Sequence, residues 1–68
     1  MSSIEIWLNG EAIYVEEGLS IDALLYRQRL PRQGVAVAQN ETVVPRTEWT
    51  RPLVAGDRLE ILTVAPGG

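Results

Sequence analysis

The carboxyl end of the chain carries the residues whose type and spacing best suit a specific chemistry. The run 59-LEILTVAPGG-68 ends in Gly67-Gly68, which have no Cβ to obstruct a narrow channel. Pro66 precedes them and lacks a backbone N–H, so it should keep the tail off a sheet. The Gly68 carboxylate is ionised at neutral pH and is a poor electrophile. Its attack on the α-phosphate of ATP would expel pyrophosphate and give an acyl-adenylate that a persulfide or thiolate can attack.

The composition argues against an enzyme and against several classes of partner. The sequence has no histidine, cysteine or lysine, which removes the usual acid–base and nucleophilic groups. Its net charge of −3 lacks the basic excess typical of nucleic-acid binders. There is no apolar run near the ~20 residues of a membrane span, and the start MSSIEIW lacks the features of a signal peptide. We expect a cytoplasmic protein, monomeric when free, with no bound cofactor, no metal site and no nucleic-acid or membrane partner.

The beginning of the chain predicts a β-hairpin. In 4-IEIWL-8, apolar side chains on one side alternate with Glu5 and Trp7 on the other, the period of a half-buried strand. Asn9-Gly10 favours the positive φ angles of a type I′ turn, and 11-EAIYVE-16 continues the alternation. The first two strands are therefore predicted to be antiparallel neighbours.

The segment that begins at Ser20 predicts a helix. The Ser20 hydroxyl can cap first-turn N–H groups, and Asp22 suits the positive end of the helix dipole. Pro31 is predicted to end the helix. Its predicted apolar face consists of Ile21, Leu24, Leu25 and Leu30, and its basic carboxyl end of Arg27 and Arg29.

Three later segments predict strands. The run 35-VAVA-38 favours a strand buried on both faces, although a buried helical turn has the same pattern. Residues 39–41 predict a turn, and 42-TVV-44 a brief strand. Gly56-Asp57 indicates a turn into 58-RLEILTV-64, the last predicted strand.

This order of elements predicts an α+β fold of the β-grasp (ubiquitin-like) class, with a mixed four- to five-stranded sheet packed on one main helix. The first strand should pair in parallel with the last. We expect the β-grasp domain over residues 1–64 and a flexible tail over residues 65–68. An extended tail of that length reaches about 13–14 Å.

Several motifs carry a resemblance to a known family over essentially all 68 residues. They are 8-LNGE-11, 20-SIDALL-25, 35-VAVAQNETVVPR-46 with Trp49, 56-GDRLEIL-62 and Gly67-Gly68. With them the chain resembles the ThiS family of ubiquitin-like sulfur carriers, a group that also includes the small subunit of molybdopterin synthase. Pro66 is a minor departure, because the residue before the glycines varies in the group.

The resemblance implies a sulfur carrier of thiamin biosynthesis, a protein co-substrate with no catalytic residue of its own. A ThiF-like adenylating enzyme would use ATP and magnesium to convert the Gly68 carboxylate into an acyl-adenylate. A sulfur donor of the cysteine desulfurase or rhodanese type would convert the acyl-adenylate into a thiocarboxylate, and thiazole synthase would take the sulfur into the thiazole ring. Gly68 would be the covalent site, with Gly67 and Pro66 giving the tail access.

Four residues are candidate partner contacts. Trp7, Leu62 and Val64 point away from the predicted core on neighbouring strands, either as a docking surface or as ordinary surface residues. Arg46 could meet acidic partner residues, since arginine and tryptophan are enriched at interfaces. The alternative, which we favour, is a loop arginine beside a partly buried Trp49.

Two other functions fit the same residues. The chain could carry sulfur for molybdopterin or for tRNA thiolation, or it could be a β-grasp interaction domain whose glycine tail is incidental. A residue appended after Gly68 should abolish a carrier's function while leaving its stability almost unchanged, and an interaction domain would be unaffected.

Overall fold

The fold is a five-stranded mixed sheet with one helix on one of its faces. The computed structural model describes residues 2–63. The elements are β1 Ser3–Leu8, β2 Glu11–Glu16, α1 Ile21–Arg27, β3 Val35–Gln39, β4 Thr42–Val43, a 3₁₀ turn at Arg46–Glu48, and β5 Arg58–Thr63. The strand order is β2-β1-β5-β3-β4, and β1 and β5 are parallel neighbours. The predicted β-grasp architecture is confirmed.

The hairpin forms where the sequence predicts it. Asn9 and Gly10 have φ angles of 50° and 87°, as a type I′ turn requires. Leu8 pairs with Glu11 directly beside the turn, and the antiparallel register continues to Ser3 and the end of β2. This register places the alternating apolar residues of both strands on the helix side of the sheet.

Helix α1 begins at the predicted cap but ends earlier than predicted. The Ser20 hydroxyl accepts the Ala23 N–H over 3.1 Å. The prediction that Pro31 ends the helix is wrong, because α1 already ends at Arg27. Arg29 adopts a φ of 58°, so it lies beyond the helix.

A Schellman motif accounts for the early helix end. The Leu30 N–H donates to the Leu25 carbonyl over 2.9 Å across the positive-φ residue. Leu30 also packs against the core, so the apolar side chain that follows the motif is held in place. Tertiary packing at Leu30 therefore stabilises a conformation that a non-glycine residue rarely adopts.

The core lies between α1 and the inner face of the sheet, and it is built from α1, four of the strands and the loops between them. Trp49, predicted to be partly buried, is only 1% exposed. In β3 the strand prediction is confirmed, but burial on both faces is wrong, since Ala36 and Ala38 are only half-buried. The buried core residues are Ile6, Val15, Leu19, Ile21, Leu24, Leu25, Val35, Val37, Val44, Trp49, Leu53 and Leu59.

Candidate functional site

Strand β5 is the element that connects the body of the protein to the carboxyl-terminal residues. It occupies the central position of the sheet, between β1 and β3. The predicted covalent residue Gly68, the access residues Gly67 and Pro66, and the candidate contact Val64 lie outside the described residues. The site can therefore be built up to Thr63, where β5 ends.

The two neighbours of β5 support it over different lengths. Strand β3 pairs with it from Leu59 through to Thr63. Strand β1 pairs with it only at Arg58 and Leu59, because β1 itself ends at Leu8. Residues 60–63 of β5 thus extend past the end of β1, and the hairpin turn lies beside them.

The Asn9 side chain continues the hydrogen bonding where β1 stops. The backbone N–H of Asn9 donates to the Leu59 carbonyl over 2.8 Å. Its Oδ1 then accepts the Ile61 N–H over 2.9 Å, taking the role of the next strand carbonyl. Asn9, whose positive φ forms the hairpin turn, therefore also stabilises the strand that leads to the carboxyl-terminal residues.

A second asparagine holds the beginning of β5 from the other side. Asn40 also has a positive φ, 53°, in the turn between β3 and β4. Its Oδ1 accepts the Arg58 N–H over 2.9 Å, and its Nδ2 donates to Asp57 Oδ1 over 3.1 Å. The side chains of Asn40 and Asn9 therefore both hydrogen-bond to the backbone of β5, Asn40 near its start and Asn9 past its midpoint.

Asp57 is a buried carboxylate at the turn that enters β5. It is 4% exposed, and three donors reach it. Gln39 Nε2 lies 2.8 Å and the Val54 N–H 2.9 Å from Oδ2, in addition to the Asn40 amide on Oδ1. Because these donors satisfy the carboxylate, the role that its position indicates is structural.

The face of the sheet opposite α1, called the outer face below, carries exposed apolar side chains. Strand alternation points Trp7 and Leu62 to this face, as predicted, and Leu62 is 58% exposed. Trp7 is half-buried between its register neighbours Ala12 and Arg58. Two further residues of the face were not singled out from the sequence: Tyr14, 72% exposed, and Val43, 69% exposed.

The sequence patterns that could have identified Tyr14 and Val43 as outer-face residues differ. The alternation of β2 already placed Tyr14 on the outer side. Strand β4 is only two residues long, so periodicity could not decide between Val43 and the buried Val44. The register of β4 against β3, with Val43 opposite Ala38, settles the orientation.

Trp7 and Leu62 share the outer face but are not direct neighbours. Trp7 is opposite Arg58 in the register, and Leu62 lies four positions further along β5. At about 3.3 Å per residue this separates them by roughly 13 Å. An open groove of about 630 Å³ lies beside the turn, lined by Trp7, Asn9, Gly10, Arg58, Leu59 and Glu60.

The charges of the outer face are mainly negative. Among the outward positions of β1, β2 and β5 are the carboxylates Glu5, Glu16 and Glu60 and the guanidinium of Arg58. Glu16 is paired with Arg27 of α1 at the sheet edge. A partner surface with basic residues around an apolar centre would complement this face.

Arg46 lies apart from the outer face. Its Cζ is 5.7 Å from the centroid of the Trp49 ring, a cation–π arrangement. Trp49 belongs to the helix side of the sheet, since its carbonyl accepts the Asp22 N–H at the start of α1. The structure brings Arg46 and Trp49 together, and it does not join Arg46 to Trp7 and Leu62.

The described part of the chain lacks a membrane-spanning helix and a metal-binding cluster. Residues 2–63 contain no helix that is both long and apolar enough to cross a membrane. Within the same range, acidic side chains do not gather in the groups of three or more that hold a metal ion.

Comparison with known proteins gives a consistent family. The model of the ThiS family matches residues 6–68. The sulfur carrier protein ThiS of Escherichia coli (strain K12) is 30% identical over 66 residues, which cover 96% of this chain and 100% of that protein. The crystal structure of the thiamine biosynthesis protein ThiS from Geobacter metallireducens matches with a TM-score of 0.79 at 26% identity, covering 96% of this chain and 100% of that one. On the fold, the family match and these relatives, the chain belongs to the ThiS family.

Proposed function

We propose that the chain is a sulfur carrier whose Gly68 carboxylate is adenylated and converted into a thiocarboxylate for thiazole formation in thiamin biosynthesis. The observation that carries the proposal is the position of β5. This central strand passes the end of β1 and leads to Gly67-Gly68. The family match, which extends to residue 68, supports the same conclusion.

The first step activates the carboxylate. A ThiF-like adenylating enzyme binds ATP and magnesium, and a Gly68 carboxylate oxygen attacks the α-phosphorus while pyrophosphate leaves. The resulting acyl-adenylate has AMP as its leaving group, so its carbonyl carbon accepts a nucleophile. The carrier supplies the carboxylate, and the partner supplies the charge stabilisation that the adenylyl transfer needs.

The second and third steps move sulfur. The terminal sulfur of a persulfide on a cysteine desulfurase or rhodanese displaces AMP and forms an acyl disulfide. A thiol then attacks the donor enzyme's cysteine sulfur and cleaves the S–S bond. This step releases the thiocarboxylate and leaves that cysteine in a disulfide with the thiol. Thiazole synthase receives the thiocarboxylate sulfur. Because ATP and thiol reductant are supplied there, we place the reaction in the cytoplasm.

The tail residues serve access to the partner active sites. Gly67 lacks a Cβ, so it can pass through a channel too narrow for a side chain. Pro66 cannot donate a strand hydrogen bond, which disfavours pairing of the tail with a sheet. Gly68 is therefore the covalent residue, and Gly67 and Pro66 are the access residues.

The outer face is the proposed docking surface for the adenylating enzyme and for thiazole synthase. Trp7 and Leu62 supply apolar contacts, and Val64 follows Leu62 two positions later in the sequence. The predominantly acidic surroundings favour a basic rim on each partner. Arg46 lies apart from this surface, and its position over the Trp49 ring supports the role of a loop arginine rather than that of a partner contact.

Intact-mass measurement tests the carrier chemistry. The chain is incubated with ATP, magnesium, the adenylating enzyme, a cysteine desulfurase, cysteine and a thiol. We expect the mass gain of one oxygen replaced by sulfur, localised to the carboxyl-terminal peptide. A chain lacking Gly68 and a chain with one alanine appended after it are the matched controls, and both should remain unmodified while unfolding at the wild-type temperature. Absence of the mass gain in the wild-type chain would contradict the proposal.

A second measurement tests the acceptor. The thiocarboxylated chain is mixed with thiazole synthase and its small-molecule substrates, and the mass is followed with time. Return of the chain to the carboxylate mass, together with sulfur in the thiazole product, supports thiamin biosynthesis. Retention of the thiocarboxylate under these conditions would contradict the thiazole role while leaving the carrier step intact.

A further inference from the structure

We infer that Asn9 is a positioning residue, which fixes the end of β5 and thereby the point from which the reactive tail continues toward a partner enzyme. The inference rests on the proposed function and assigns a role within it. Asn9 is 52 residues away from Ile61 in sequence, yet its side chain is bonded to the backbone there. The bond lies just before the tail.

The two neighbours of β5 leave its last segment supported unequally. Strand β1 pairs with β5 only as far as Leu59, whereas β3 accompanies β5 to Thr63. Without the Asn9 side chain, the Ile61 N–H on the β1 side would have no protein partner among the described residues. The last segment of β5 would then be held along one edge alone, by β3.

The backbone groups of successive β5 residues point alternately toward β3 and toward β1. Arg58 donates its N–H to Asn40 Oδ1 and accepts the Asn40 N–H at its own carbonyl. Asn40 directly follows β3, so in the antiparallel register the backbone groups of even-numbered β5 residues face β3. The Leu59 carbonyl and the Ile61 N–H point to the opposite side, and both of these groups bond to Asn9. Asn9 is thus the last residue of the described chain to hold β5 from that side.

The residue type at position 9 exceeds what the turn alone requires. A φ of 50° is tolerated by asparagine and aspartate and is preferred by glycine. Glycine would satisfy the turn as well as asparagine does, but it has no oxygen to accept the Ile61 N–H. The turn alone does not require the amide, so substitution by glycine separates the turn from the contact with β5.

The consequence for the reaction is preorganisation. A strand end held on both edges presents the following residues from a defined point, so less conformational freedom is lost when the tail enters a partner. Loss of the contact lowers the fraction of molecules that are ready to bind. This raises KM for the carrier and leaves kcat nearly unchanged, because the bound complex is the same.

The test compares Asn9→Gly, Asn9→Asp and Asn40→Gly in the full chain, as substrates of the adenylating enzyme with ATP and magnesium. Asn9→Gly keeps the positive φ and loses the acceptor. Asn9→Asp keeps both an acceptor oxygen and a tolerated φ. Asn40→Gly removes the bond to Arg58 at the start of β5 together with the bond to Asp57, so it controls for a general loss of stability. AMP release gives KM and kcat at a temperature where all variants are folded.

We expect Asn9→Gly to raise KM roughly two- to tenfold, the range that corresponds to one hydrogen bond. Asn9→Asp should keep KM at or below the wild-type value, because it retains the acceptor and adds a negative charge facing a basic partner rim. Asn40→Gly should leave KM unchanged although it lowers the unfolding temperature. Amide hydrogen exchange should accelerate at Ile61 in Asn9→Gly and not in Asn40→Gly. A wild-type KM in Asn9→Gly would overturn the inference, as would unchanged Ile61 exchange in that variant or an equal rise of KM in Asn40→Gly.

The outcomes separate this inference from the proposed function. If the wild-type chain is not adenylated, the proposed function fails, and the positioning role in adenylation fails with it. If the wild-type chain is adenylated and Asn9→Gly matches it in KM, only the role of Asn9 fails. The exchange measurement needs no partner, so it reports the contact with Ile61 in either case.

Discussion

The indole Nε1–H of Trp49 donates to the Val44 carbonyl over 3.0 Å, inside the core. The two residues bracket the loop that contains the 3₁₀ turn, and the Trp49 carbonyl accepts the Asp22 N–H from the start of α1. Val44 in turn donates its N–H to Val37 of β3 over 2.8 Å. The backbone of the two residues therefore joins the loop to α1 and to β3, and the Trp49 side chain closes the loop between them.

The first prediction concerns the two tryptophans. Trp49→Ala should lower the free energy of unfolding by about 3–5 kcal/mol, since it removes a large core side chain. Trp49→Phe keeps a ring but leaves the Val44 carbonyl without its donor, so it should cost about 1–3 kcal/mol. Trp7→Ala, on the outer face, is the matched control and should cost less than either. Urea unfolding followed by circular dichroism measures all three, and a larger loss in Trp7→Ala than in Trp49→Phe would contradict the assignment.

The second prediction concerns the buried carboxylate of Asp57. Asp57→Ala leaves three donors without their acceptor and should lower the free energy of unfolding by at least about 2 kcal/mol. Asp57→Asn keeps one oxygen and should lie between the alanine variant and the wild type. Glu60→Ala removes an exposed carboxylate of the same sheet and should change stability by less than about 0.5 kcal/mol. Equal losses in Asp57→Ala and Glu60→Ala in urea unfolding would argue against the network.

Much of the fold could be predicted because its signals are local. The turn at Asn9-Gly10 and the cap at Ser20 each follow from the conformational preferences of one or two residues, and the structure confirms both. The helix end could not be predicted this way. It depends on a positive φ at Arg29, which is stabilised by packing of Leu30 against residues distant in sequence.

The face of the sheet on which the candidate contact residues lie could be predicted from the sequence, but the distance between those residues could not. Strand alternation alone placed Trp7 and Leu62 on the outer face. Their separation depends on the register between β1 and β5, which joins residues about fifty positions apart and leaves no trace in local periodicity. For the same reason the contact between Asn9 and Ile61 could not be foreseen from a turn motif. Trp49 lies in a segment without periodicity, so its complete burial was underestimated.

The third prediction tests the outer face as a docking surface. Leu62→Ala should weaken binding of the adenylating enzyme about fivefold or more if Leu62 lies near the centre of the interface. Val54→Ala is the control, because Val54 is 61% exposed against 58% for Leu62 but lies in the loop before β5. Calorimetric titration with the enzyme gives both dissociation constants. A wild-type affinity in Leu62→Ala, or an equal loss in Val54→Ala, would exclude Leu62 from the docking surface.

The fourth prediction tests Gly67 as the access residue. Gly67→Val adds a branched side chain next to the reactive carboxylate, so it should lower kcat/KM for adenylation about tenfold or more by displacing the carboxylate from the α-phosphate. Ala65→Val enlarges a residue two positions earlier and should have a much smaller effect. Both variants should unfold at the wild-type temperature, which separates an effect on access from an effect on the fold. If the two valine variants react equally fast, the channel does not discriminate at residue 67, and the assignment of Gly67 as the access residue would have to be withdrawn.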